Sequence, residues 1–500
     1  MIFASLPPKH TLKIKYLDAP LSNRILADHD LLLVVANNQS EKTLLRQCPR
    51  NSELLQQQRQ LGDQTASSTL QLSANKQGGA LLLIFVKSGA SCFEQLQMAA
   101  KLWKIAADHR AERIALSTHG FDSIESHALL NSLLAAVLAG SAALPTYKSK
   151  HTTQPLKVIS LQQGSANDFA TTLATHAGNH LARWLTTLPP NVLDCGNYRH
   201  TLQQLAKQES WQAEFLTLAA LKKHKADAFL AVARANAHSN AGIMRLRYHS
   251  KTNKRKQRHT LALVGKGICF DTGGINLKPH KSMVDMHTDM QGSAVALGTL
   301  LALSRLKVPF DIECWLALTE NEIGPNAYRP QEVITAANGV TIQVVHSDAE
   351  GRMALADTLT LAARNNPNLI LDFATLTGAC VGALTERMSG AFSNRPQLRD
   401  AIELAGRNSG ERVWSFPMDS DFDSDLDSPI ADIMQCTMDG KGDHILAARF
   451  LNRFVPETIP WIHIDLSSGS KTGGLAHIPT EITGFGVRWA VDFFKQHSFN

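Results

Sequence analysis

Leu261-Ala262-Leu263-Val264-Gly265-Lys266-Gly267-Ile268-Cys269-Phe270-Asp271-Thr272-Gly273-Gly274 drives an apolar run into a lysine, then an aspartate, then a double-glycine turn. A short apolar run of this kind reads as a buried strand, and open α/β sheets place their ligands where such strands end. Working outward, Met244–Tyr248, Ile312–Leu318, Leu369–Ala374 and Trp461–Leu466 read as further strands, and segments near 291–305, 353–365 and 445–454 read as helices. The basic run Lys251, Lys254, Arg255, Lys256, Arg258 and His259 lies between Met244–Tyr248 and Thr260–Val264, which makes it a solvated hairpin tip. Towards the N-terminus, Leu31–Ala36, Leu81–Val86 and Arg113–Ser117 alternate with helical spacing over Cys92–Ala107 and His127–Leu138. Asn167–Leu188 is helical and is stopped by Pro189-Pro190, because proline disfavours helix in the residue before it. The expected architecture is a two-domain α/β protein. A smaller N-terminal α/β domain covers 1–165, a connecting helix 166–188, and a larger C-terminal α/β domain with a central mixed sheet 189–500.

Composition narrows the function classes. Of the 500 residues, 44% are hydrophobic and 19% charged, which excludes a disordered chain. Lys and Arg number 50 against 44 Asp and Glu, a net charge of +6 that is mild for this length. The basic run is short and no aromatic interleaves with it, so a DNA contact is the less favoured reading. The seven cysteines form no C-x-x-C pair, which argues against a disulfide framework and for a reducing compartment. Apolar stretches such as Ala80–Val86 fall short of the ~20 residues of a membrane span, and the N-terminus lacks a signal-like apolar core. A soluble cytoplasmic protein without a membrane partner is expected.

Common catalytic motifs do not hold up. H-E-x-x-H, Walker A and G-x-S-x-G are absent. Ser73–Lys76 matches S-x-x-K and Lys471-Thr472-Gly473 matches K-T-G, but the middle element of a serine acyl-enzyme is missing. The chemistry concentrates instead in Lys266–Asp289 and in His346-Ser347-Asp348-Ala349-Glu350-Gly351-Arg352. If Asp271, Asp289, Asp348 and Glu350 converge, the four carboxylates cannot all stay ionised unaided. Two divalent cations would neutralise them, and oxygen-rich donors suit magnesium, manganese or zinc. Taken singly, each residue has an ordinary explanation: Asp271 in a turn, Asp348 as a helix cap, Lys266 and Lys278 facing solvent. A phosphoryl-transfer two-metal enzyme fits the carboxylates but leaves both lysines unused.

Together the segments resemble the signatures of the leucine aminopeptidase (cytosol aminopeptidase) family, whose second signature, N-T-D-A-E-G-R, reads His-Ser-Asp-Ala-Glu-Gly-Arg here. The similarity runs from Pro189-Pro190-Asn191 to about Arg488. It takes in Asn326–Pro330, Asp372–Ala379 and Thr483–Gly486. The resemblance implies a metal-dependent aminopeptidase, an exopeptidase acting on peptides with a free N-terminal amine, with 189–500 as the catalytic domain. It implies two divalent ions per subunit, zinc or manganese, with magnesium or cobalt as further candidates. Asp271 and Glu350 would bridge them, Asp348 would complete the more exchangeable site, and Lys266 and Asp289 the tighter one. Lys266 would need a strongly lowered pKa to donate its lone pair. Lys278 would stabilise the oxyanion of the tetrahedral intermediate, and Arg352 would hold a bicarbonate ion as general base. The family assembles as a homohexamer. A hexamer that keeps the fold as a DNA-binding or scaffold protein, with peptidase activity secondary, is the alternative.

Three departures from the family pattern stand out. His346 replaces the usual asparagine, with backbone hydrogen bonding as its ordinary role. The pocket for the first residue's side chain, formed by positions matching Met286, Thr375, Leu376, Gly378, Ser467 and Ser470, gains two serines. Hydroxyls left without partners there would weaken a preference for leucine. The segment Met438–His444 carries Asp443 and His444 where the family has small residues and a glycine.

Overall fold

The computed structural model describes residues 5–8, 12–18, 22–61, 69–75, 79–149, 156–162, 164–251 and 259–497. Lys76 of the S-x-x-K match and residues 252–258 of the basic run lie outside them. The chain divides into two compact units, one comprising 8–176 with 473–481, the other 1–7, 177–472 and 482–500. The division falls inside the helix Ala166–Thr187.

The N-terminal unit is built on β1 (Lys13–Leu17), β2 (Leu31–Asn37), β3 (Thr69–Leu72), β4 (Ala80–Val86), β5 (Arg113–His119) and β6 (Val158–Gln162). Their order is β1-β6-β5-β2-β4-β3, parallel throughout except at the β3 edge. All seven residues of β2 are buried, as expected of an apolar strand covered on both faces. Helix Cys92–Ala106 opens with a capping box between Ser91 and Glu94. Helix Ser123–Ser141 is long and apolar enough, by length and composition, to cross a membrane. That exceeds the apolar stretches expected from sequence, because Asn131 and Ser132 interrupt a run that only the helix makes continuous. It packs in the core of its unit, with 61% of its apolar window buried.

The second unit carries β7 (Gln212–Thr217), β8 (Gly242–Tyr248), β9 (Thr260–Asp271), β10 (Asp311–Asn321), β11 (Val333–Thr335), β12 (Thr341–Gln343), β13 (Leu369–Ala374), β14 (Ser389–Ser393), β15 (Val413–Ser415), β16 (Ile433–Met434) and β17 (Trp461–Asp465). Eight of these form one mixed sheet, β15-β14-β17-β13-β9-β10-β8-β7, in which β17, β13, β9 and β10 run parallel. The hairpin read from sequence is not there: β10 lies between β8 and β9, antiparallel to one and parallel to the other. The second motif also departs from expectation, since β12 before it belongs to a separate three-stranded sheet, β11-β12-β16. Helices Gln291–Arg305 and Glu350–Ala363 both pack on β9 and are buried almost all round, so their sequences lack a polar stripe.

The C-terminal helix Val487–Gln496 is capped from a distance. Glu411 accepts hydrogen bonds from the Gly486 and Trp489 N–H groups at 2.9 and 2.8 Å, satisfying donors that a helix start leaves free. Glu411→Ala is expected to cost about 2–4 kcal/mol, because two buried donors lose their acceptor. Burial pushes the Glu411 carboxyl up to about 7 despite those bonds. A folded-state pKa above the unfolded value means that this group favours folding most at low pH. Its contribution fades as pH rises from the ordinary glutamate range through about 7. Denaturant titrations across that range check both points, with Glu411→Gln expected to flatten the pH dependence.

Candidate active site

Three neighbouring parallel strands, β9, β13 and β17, end together, with Phe373 beside Gly265 and Ala374 beside Asp465. Lys266 and Asp271 come from the end of β9, Thr375 and Leu376 follow β13, and Ser467 and Ser470 follow β17. The turn after Asp271 depends on glycine: Gly273 has φ +85°, and a Cβ there would meet Asn276 O at 2.6 Å. Asp289 precedes the helix Gln291–Arg305, and Glu350 opens the helix Glu350–Ala363. Asp348 does not cap that helix; Ala349 occupies the cap position and no side chain bonds there.

The four carboxylates and two lysines converge. Lys266 Nζ lies 2.9 Å from Asp289 Oδ1 and 3.0 Å from Glu350 Oε1, and donates to Thr375 O at 2.8 Å. Lys278 Nζ lies 2.8 Å from Asp271 Oδ2 and 2.6 Å from Asp348 Oδ1. Neither lysine faces solvent freely, with side chains 4% and 14% exposed. Gly351 gives Lys266 its room, since a Cβ at 351 would sit 2.6 Å from Lys266 Cε. These groups line a cavity of about 330 Å³ together with Met286, Thr375, Leu376, Gly378, Ser467 and Ser470. Arg352 is apart from them. It is buried and does not line the cavity among the described residues.

Burial and the neighbouring Asp271 charge push Glu350 up to about 8, and burial pushes Asp289 up to about 6. For Lys266 burial pulls the pKa down, but the charges of Asp289, Glu350 and Asp271 outweigh it and the net shift is upward. The lowered value expected from sequence is therefore reversed while carboxylates are its neighbours. A lysine ligand here must surrender a proton that two carboxylates hold in place.

The donor set fits divalent cations. Ligand atoms of Asp271, Asp348 and Glu350 lie within 4.8 Å of one another. Asp289 Oδ2 is buried without a hydrogen-bond partner among the described residues, a cost that a cation would remove. Protons and metal compete for these groups, so metal affinity is expected to rise with pH up to about 8 and proton release to accompany loading. Calorimetric titration in buffers of differing ionisation enthalpy measures both. Bicarbonate at Arg352 does not fit. Arg352 Nη2 donates to both Asp443 carboxylate oxygens, at 2.9 and 2.8 Å, and Nη1 donates to Gln435 O at 3.1 Å.

Several residues around the site had no role in the sequence reading. Asn321, at the end of β10, donates to Asp271 Oδ1 at 2.8 Å and to Ser347 O at 3.1 Å. Tyr328, within the conspicuous Asn326–Pro330 stretch, donates to Ser347 O at 2.6 Å. Thr375 donates to Asp289 Oδ1 at 2.7 Å. His346 takes the ordinary role: its Nδ1 accepts from the Asp348 N–H at 3.2 Å. The two serines are also satisfied. Ser467 donates to Met388 O at 2.8 Å and Ser470 accepts from Gln291 Nε2 at 3.1 Å. The penalty expected from unpartnered hydroxyls therefore loses its premise.

Residues 180–491 match the profile described as the cytosol aminopeptidase family, catalytic domain. A probable cytosol aminopeptidase of Syntrophotalea carbinolica is 38% identical over 348 residues, 69% of this chain and 69% of that protein. One from Wolbachia pipientis is 38% identical over 312 residues, 62% of this chain and 61% of that protein. The matched stretches thus span 61% to 69% of these relatives' own length. A tomato leucine aminopeptidase variant superposes with a TM-score of 0.84 at 24% identity, covering 99% of both chains, a likeness of fold. The bottromycin maturation enzyme BotP in complex with Mn gives a TM-score of 0.80 at 25% identity, covering 93% of this chain and 99% of that one.

Proposed function

The chain belongs to the cytosol aminopeptidase family, metal-dependent enzymes that remove N-terminal residues from peptides, and from that premise we propose how its own residues divide the work. The observation that carries the reading is the convergence of Lys266, Asp271, Asp289, Asp348 and Glu350 with Lys278 in one cavity at the strand ends. Asp271 and Glu350 bridge two ions, Asp348 completes the exchangeable site, and Lys266 with Asp289 the tighter one. Zinc or manganese is the resident metal, manganese having support from the BotP complex. When bound, the ions supply Lewis-acid polarisation of the scissile carbonyl and an activated water.

The protein's own groups do the rest. Lys278 carries a full positive charge, because Asp271 and Asp348 outweigh its partial burial. That charge is what the oxyanion of a tetrahedral intermediate requires. Asn321 and Tyr328 fix the backbone and carboxylates of the Ser347–Glu350 segment, so the donors are aimed before substrate arrives. The substrate's first side chain sits among Met286, Thr375, Leu376, Gly378, Ser467 and Ser470. With both serine hydroxyls partnered, an apolar residue such as leucine is accepted there.

Residues 189–500 form the catalytic domain, joined through the helical stretch 166–188 to the domain of 1–165. The enzyme works in the cytoplasm on peptides with a free amine. It assembles as a homohexamer, an assembly supported by the exposed apolar side chains Ile275, Leu277, Val284 and Ile323. Release of the N-terminal residue from a dipeptide panel, by metal-stripped protein before and after adding Mn²⁺ or Zn²⁺, tests the reading. Cleavage is expected to return with metal, to be lost in Asp348→Ala and to be absent on N-acetylated peptides. Cleavage of blocked peptides, or activity indifferent to metal, would count against it.

A further inference from the structure

The segment Met438–His444 runs into the helix Asp443–Asn452, and Asp443 is that helix's first residue. Its carboxylate meets Arg352 edge-on, both oxygens on Nη2. The arginine side chain is 3% exposed and the aspartate 21%. The pair is tied to the metal-binding segment by Gln435. Gln435 accepts from the Val345 and His346 N–H groups at 3.1 Å and donates to Ala349 O at 3.0 Å, while its own carbonyl receives Arg352 Nη1. An arginine buried two residues from Glu350 needs an anion, and a planar carboxylate offers the shape a guanidinium favours.

We propose that Asp443 is the resident anion of Arg352, standing where the resemblance places a diffusible bicarbonate, so that this enzyme works without added bicarbonate. A second planar anion would need the same Nη2 donors and would face the Asp443 charge at close range. A small residue or glycine at 443 leaves that place open; aspartate brings its own carboxylate. Asp443 is a positioning residue, acting through Arg352 on the segment that presents Asp348 and Glu350.

The test compares wild type with Asp443→Gly and Asp443→Asn in carbon-dioxide-free buffer, with and without bicarbonate. Wild-type kcat/KM is expected to be the same in both conditions. Asp443→Gly is expected to lose about 10- to 100-fold without bicarbonate, as for other residues that orient ligands. Bicarbonate should restore most of that loss, whereas Asp443→Asn, which keeps the bulk, should not be rescued. A second readout is independent of peptidase activity: line broadening of ¹³C-bicarbonate by metal-stripped protein, expected for Asp443→Gly and not for wild type. Since the inference rests on the peptidase reading, this binding arm separates the two failures. Wild type that needs bicarbonate, wild type that binds it, or an Asp443→Gly variant indifferent to it would each overturn the proposal.

Discussion

Glu350→Ala is expected to reduce peptide hydrolysis to background and to lower bound metal from two ions per chain to one at most. Glu350 is 1% exposed, paired with Lys266 at 3.0 Å and within 3.5 Å of Asn321 Nδ2. As the group proposed to touch both ions, it contributes to each. Metal polarisation is worth several kcal/mol of transition-state stabilisation. At ~1.4 kcal/mol per tenfold, its loss corresponds to a fall of roughly 10³-fold or more. Elemental analysis of the dialysed protein alongside kcat separates loss of metal from loss of chemistry. Glu350→Gln keeps the side-chain volume, so a variant of this kind that folds but binds fewer ions excludes a packing explanation. Two retained ions with wild-type kcat would remove Glu350 from the site.

Lys278→Met is expected to leave both ions bound and KM nearly unchanged while lowering kcat by roughly 10²- to 10³-fold, the usual loss when an oxyanion donor is removed. The methionine fills the space of the lysine stem but carries no charge. Lys278→Arg should recover part of the rate, because it restores the charge at a displaced position. An equal loss in kcat with a matching rise in KM would mean that Lys278 only binds substrate. Loss of metal from Lys278→Met would mean that its ion pairs with Asp271 and Asp348 hold the ligands in place.

The parts of this protein legible in its sequence are those where one local run carries its own signal. Leu31–Ala36, Leu369–Ala374 and Trp461–Leu466 read as strands because buried parallel strands are continuously apolar, and the structure has β2, β13 and β17 there. Gln212–Thr217, half exposed at the sheet edge, carries no such signal and passed unread. Strand partnership was also hidden. β8 and β9 are neighbours in sequence, but the crossover to β10 is decided by packing far along the chain. At the site, Asp271, Asp289, Asp348 and Glu350 stood out because carboxylates after apolar runs are chemically unusual. Asn321 and Gln435 did not, because a single amide is ordinary wherever it lies and matters only through what the fold brings beside it. Asp443 was visible as a departure, yet its partner Arg352 had been given to another anion.

The close approach of Gly351 to Lys266 ties two distant positions into one steric unit. The lysine is pinned by Thr375, Asp289 and Glu350, so it has no room to step aside for a methyl group. The glycine after the bridging glutamate is thus explained by the thickness of an amine on another strand. Where a thin side chain replaces the lysine, that glycine loses its reason to be fixed. Related chains should show the two positions drifting together or not at all.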